Sequence, residues 1–79
     1  MARFRLFATL WDDAGGRCEI LCDSRQHFIF ERKQDGVVVE HFRSDDPGSF
    51  HRYTYELCAR GWHFAWAPRD RREEIEVGN

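Results

Sequence analysis

The 79-residue chain carries 12 Lys and Arg against 14 Asp and Glu, a formal net charge of −2, which argues against a general polyanion binder and leaves room only for a local basic patch. A chain of this length forms one domain, spanning residues 1–79, and buries only about 60 to 65 per cent of its unfolded surface. Its seven Phe, three Trp and two Tyr therefore supply much of the core, since each large ring buries roughly 150–250 Å².

The alternation in Ala2 to Trp11 predicts a half-buried strand, with Phe4, Leu6, Ala8 and Leu10 on one side and Arg3, Arg5, Phe7, Thr9 and Trp11 on the other. Asp12 to Gly16 reads as a turn, and Arg17 to Cys22 as a second strand that closes a hairpin with the first. After a break at Asp23 to Gln26, Phe28 to Lys33 and Val37 to Arg43 form a second hairpin. A three-residue loop of Gln34, Asp35 and Gly36 is the preferred register, because it sets Phe28 opposite Phe42, with Phe30 and Val38 on that side and Ile29, Val37, Val39 and His41 on the other. The competing two-residue Asp35-Gly36 turn sets Glu31 opposite Glu40 and mixes Phe30 with His41. Once a helix-facing set is assigned, Phe7, Trp11, Ile29, Val37 and Val39 remain, and they imply a second buried or contact surface.

The next segment has helix signals at a consistent spacing: Asp46 as cap, Pro47 at the first helical position and Gly61 after the end. Phe50, Tyr53 or Thr54, Leu57 and Cys58 form its apolar stripe. Trp62 to Ala67 reads as a final strand stopped by Pro68, with Trp62, Phe64 and Trp66 on one side. Residues 69–79 form a charged, flexible tail in which Ile75 and Val77 could add a short edge strand. The expected fold is α+β: an antiparallel sheet of four to five strands in the order β-β-β-β-α-β, with one helix packed on one face.

Chemistry is sparse. Cys18 and Cys22 at i and i+4 of a strand lie roughly 13 Å apart, whereas thiolates sharing a zinc are about 4 Å apart. The three cysteines therefore read as reduced, buried thiols, with no metal site and no cofactor. The histidines lack an orienting acid at a recognisable spacing, no phosphate-loop pattern follows Gly15-Gly16, and no catalytic residue is assigned. Arg3, Arg5, Phe7 and Trp11 together would suit a single-stranded nucleic-acid module, but the RRM signature is absent and direct nucleic-acid binding is not the favoured reading. Arginine accounts for eleven of the 12 basic residues, which suits an interaction surface, although a GC-rich genome would produce the same excess. Acidic residues cluster at Asp12-Asp13, Asp45-Asp46 and Glu73-Glu74 with Glu76. Turn and cap roles explain such aspartates, and imitation of DNA phosphates is the sharper alternative. Without a span of ~20 apolar residues or a secretory leader, no membrane is expected and the location is cytoplasmic.

In size, in its mildly acidic and cysteine-poor composition and in its hairpins followed by one helix, the chain resembles the small phage-encoded anti-CRISPR proteins directed at type I effector complexes. The resemblance implies a non-enzymatic inhibitor that binds the surveillance complex, in the host bacterial cytoplasm, and blocks its recognition of target DNA. The candidate partner-binding residues are Arg3, Arg5, Phe7, Trp11, Asp12, Asp13, Ile29, Val37, Val39, Glu73, Glu74 and Glu76. The alternative is a small phage or bacterial assembly protein that forms a homodimer through Ile29, Val37, Val39, Phe7 and Trp11.

Overall fold

The computed structural model describes residues 2–68 and 74–77, with side chains for 3–68. Strand β1 (Ala2–Trp11) turns through Asp12 to Gly15 into β2 (Gly16–Cys22). The Asp12 carboxylate accepts the Ala14 N–H at 3.0 Å and the Gly16 N–H at 2.5 Å. This Asx-type arrangement explains why aspartate opens the turn. Asp23 organises the next connection in the same way, accepting the Arg25 and His27 amides and facing the His27 ring at 3.1 Å. Strand β3 (Phe28–Gln34) then meets β4 (Val37–Ser44), helix α1 (Gly48–Ala59) follows, and β5 (His63–Trp66) and β6 (Glu74–Val77) close the chain. The sheet order is β4-β3-β2-β1-β5, antiparallel throughout, and β6 pairs with β1 beside β5. This is the α+β arrangement expected from the pattern, with the short edge strand at Ile75 and Val77 present as β6. The rest of the charged 69–79 segment, Glu73 included, lies outside the described residues.

Two β-bulges correct the expected facing of side chains. In β1, Leu6 sits opposite Leu21 and Ala8 opposite Ile20, so Phe7 is an extra residue without a cross-strand partner. A bulge breaks the period of two. Ala8 and Leu10 therefore face the helix, while Phe4 and Leu6 face the other side, where the Arg43 guanidinium lies 5.4 Å from the Phe4 ring centroid. Phe7 leaves the outer set and packs edge-on against Phe50 at 5.1 Å and Trp66 at 5.3 Å.

The second hairpin departs from both expected registers. Its turn has two residues, with Asp35 at φ +52° and Gly36 at φ +84°, the paired left-handed conformations of a type I′ turn that Asp-Gly suits. A bulge then follows: Lys33 faces Val38 but Arg32 faces Glu40, so Val39 is skipped and Phe30 comes opposite Phe42. The single inserted residue removes what disfavoured the short turn. Glu40 meets Arg32 at 3.1 Å instead of Glu31, and Phe30 stacks on Phe42 with centroids 4.7 Å apart.

Helix α1 begins one residue later than the pattern suggests. The Asp46 carboxylate accepts the Gly48 N–H at 3.0 Å, and Pro47 has helical angles. At the other end Gly61 takes φ +93°, and the Trp62 and Gly61 amides donate to the Leu57 and Cys58 carbonyls, the paired bonds of a Schellman stop. The helix buries Phe50, Thr54 and Leu57 against Ala8, Leu10, Cys18, Ile20, Phe28 and Phe30. The Thr54 hydroxyl donates to the Phe50 carbonyl at 2.8 Å, which satisfies it inside the core. The aromatic rings run as one continuous row, from Phe42 and Phe30 through Phe28 and Phe50 to Trp66 and Phe64. Such pairs contribute about 0.5–1.5 kcal/mol each beyond their buried area. Cys58 lies outside the stripe and is exposed, whereas Cys18 is fully buried and Cys22 partly so, which corrects the expectation of three buried thiols.

Candidate interaction surface

The expected contact residues are dispersed by this fold. Arg5 pairs with Cys22, which packs against the helix-side core, so Arg3 and Arg5 project on the helix side of β1. Trp11 lies on the opposite face at the other end, 37 % exposed, with its ring 5.6 Å from that of His63. Phe7 belongs to the core row. The four residues of the nucleic-acid constellation thus do not share a surface. The ladder also sets Glu76 opposite Arg3 and Glu74 opposite Arg5. The register thus places these basic and acidic candidates on paired strands.

The aspartates divide similarly. Asp12 is committed to amides of its own turn. Asp46 bonds the Arg52 guanidinium at 2.6 Å, and this bond, with the Gly48 amide, holds its carboxyl below the usual range. Asp13 is exposed, 3.3 Å from the His63 ring. Burial pushes the Asp23 carboxyl up, but the His27 and Arg25 amides and the His27 ring outweigh it and hold the group below its usual range.

A depression of ≈ 210 Å³ is lined by Arg32, Glu40, Tyr53, Glu56, Leu57 and Arg60. Its charges pair among themselves, Arg32 with Glu40 at 3.1 Å and Arg60 with Glu56 at 4.0 Å. The Tyr53 hydroxyl donates to Glu40 at 3.1 Å. Beneath it, burial pushes the Cys18 thiol from 9.0 up to about 11, which suits a packing thiol and not a nucleophile. Among the described residues no group of three His, Cys, Asp or Glu is placed to hold a metal ion, and no helix is long and apolar enough to cross a membrane.

The longest exposed apolar run among the described residues is at the tip of β4. Val37, Val38 and Val39 are 64 %, 49 % and 50 % exposed, three consecutive apolar side chains on the terminal strand of the sheet order. A single exposed valine is ordinary, but an apolar run on an unpaired strand edge is a template for another strand. Ile29, expected beside Val37 and Val39, is instead only 3 % exposed, because its position across from Leu21 and Arg43 puts it in the sheet interior. The pattern singled out Val37 and Val39 and missed Val38, whose neighbours' alternation had placed it on the core side. It also missed the exposure of Trp66, which is 53 % exposed at the opposite edge. Strand order decides both outcomes, and strand order has no local signature in the sequence. Comparison with known families, curated proteins and solved structures finds no match for the chain.

Proposed function

We propose that the chain acts by stoichiometric binding to a protein partner along the β4 edge, without turnover, and that the partner is a type I CRISPR surveillance complex whose recognition of target DNA it blocks. The exposed run Val37 to Val39 on the terminal strand supports the binding reading. Strand addition draws affinity from main-chain hydrogen bonds and specificity from the flanking side chains, here Asp35 on one side and Glu40 and His41 on the other. The choice of partner rests on the resemblance in size, composition and element order to the small type I inhibitors. Direct nucleic-acid binding is less favoured, since Arg3 and Arg5 face Glu76 and Glu74 in the ladder. Imitation of DNA phosphates is also less favoured, since the Asp12 and Asp46 carboxylates are taken up by amides and by Arg52.

The test is size-exclusion co-elution with a purified type I complex, together with binding of target duplex by that complex. The expected result is stoichiometric co-elution and loss of duplex binding, both abolished by Val38→Lys. Absence of association overturns the choice of partner, and association undiminished in Val38→Lys overturns the assignment of the edge.

A further inference from the structure

We infer that the cleft at the open end of the second hairpin binds the zwitterionic head of a free α-amino acid, with the carboxylate on Arg43 and the ammonium between Asp45 and His27. The cleft encloses ≈ 400 Å³ and is lined by His27, Arg43, Ser44 and Asp45. It lies where Phe28 faces Ser44 in the ladder, at the other end of β4 from the exposed valines, so it is independent of the edge proposed to bind a protein.

The fold fixes its polar groups in advance. Asp23 Oδ1 accepts the Arg25 and His27 amides at 2.9 and 2.8 Å, and Asp23 Oδ2 lies 3.1 Å from His27 Nδ1. In the neutral ring this contact places the proton on Nδ1, because a carboxylate only accepts, and leaves Nε2 as the ring's free acceptor. The Arg43 guanidinium lies over the Phe4 ring, 5.4 Å from its centroid, which steadies it and leaves its N–H edge for a ligand. The Ser44 oxygen accepts the Asp46 amide at 3.1 Å, so its own hydrogen is available to donate.

The charges in the cleft select the ligand. Arg43 and Asp45 line the same space, yet they do not pair with each other, and neither has an ion-pair partner among the described side chains. Elsewhere on the surface such charges meet, Arg32 with Glu40 and Arg52 with Asp46. With Asp23 satisfied by amides and by His27, one positive and one negative group remain. A phosphate dianion would be opposed by Asp45 and a simple cation by Arg43, and no three metal ligands meet among the described residues. A ligand with both signs on neighbouring atoms satisfies both groups. The guanidinium fork takes its carboxylate, with the Ser44 hydroxyl as a further donor, and Asp45 with His27 Nε2 accepts from its ammonium.

Titration of the full chain with L-alanine, followed in amide correlation spectra, is the test. The expected result is saturable shifts at His27, Arg43, Ser44 and Asp45 with half-saturation at about 1 mM, in keeping with so small a ligand in an open site. Propionate lacks the ammonium and alanine amide lacks the carboxylate, and each should bind at least about tenfold more weakly. Arg43→Gln and Asp45→Asn should weaken L-alanine to the same extent with the rest of the spectrum unchanged. Asp45 is exposed, so its variant keeps the fold. Absence of saturable shifts, propionate or alanine amide binding as tightly as L-alanine, or undiminished binding in Asp45→Asn overturns the inference.

Discussion

Strands β3 and β4 belong to one hairpin, and each contains three consecutive large apolar residues with opposite fates. Phe28, Ile29 and Phe30 are 5 %, 3 % and 0 % exposed, whereas Val37 to Val39 are at least 49 % exposed. The difference is one of position. The β3 run lies at the open end of the hairpin, flanked by β2 and β4, with α1 over one face and Arg43 with Phe4 over the other. The β4 run lies at the tip, on the terminal strand, past the reach of the helix. Equal hydrophobicity thus serves folding in one strand and stays at the surface in the other, where the proposed function uses it for association. The two should therefore respond to substitution in opposite ways.

The largest expected effect is in β3. Phe30→Ala removes a fully buried ring that stacks on Phe42 and meets Tyr53 at 4.9 Å, and it should cost about 3–5 kcal/mol in urea unfolding. A loss below about 1 kcal/mol would mean that the core is not organised as described.

Next is the alkaline limb. The folded Cys18 thiol is held up at about 11 against 9.0 ordinarily, so the folded state resists ionisation that the unfolded chain accepts. Its contribution is fully present below pH 9.0 and is lost as pH rises toward about 11, by an amount on the order of 2 kcal/mol. Cys18→Ala should flatten that limb whatever it costs at neutral pH, and a wild-type stability independent of pH across this window would contradict the burial.

Smaller still is deletion of Val39. It leaves Lys33 opposite Val38 and Arg32 opposite Glu40, so the ladder becomes regular and stability should change by about 1 kcal/mol or less. Large destabilisation would show that the bulge does more than set register. The smallest effect is that of Val38→Lys, expected within about 0.5 kcal/mol of wild type while association is lost.

Much of this architecture is legible in the residues. Asp46 and Gly61 bracket the helix because capping and left-handed turns have strong local chemistry, and Asp12 and Asp35-Gly36 mark their turns for the same reason. The two bulges are not legible. Phe7 and Val39 are good strand residues, and what makes each of them the extra one is the position of its neighbours across the sheet: Ile20 and Leu21 for the first, Arg32 and Lys33 for the second. Both errors inverted a face, sending Phe7 outward and Val38 inward. The interaction surface was half legible, since an excess of apolar strand residues was evident but their division between Ile29 inside and Val37 and Val39 outside depends on strand order. The ladder partners of Arg3 and Arg5, Glu76 and Glu74, are not legible for the same reason, since strand pairing has no local signature.

The central claim is that the β4 edge is open in the monomer and is used for pairing. Hydrogen exchange of the Val38 amide measures this directly, in the free protein and in a complex with the type I assembly. The account expects fast exchange in the free protein and protection in the complex. Protection in the free protein, or exchange equally fast in both, would contradict it.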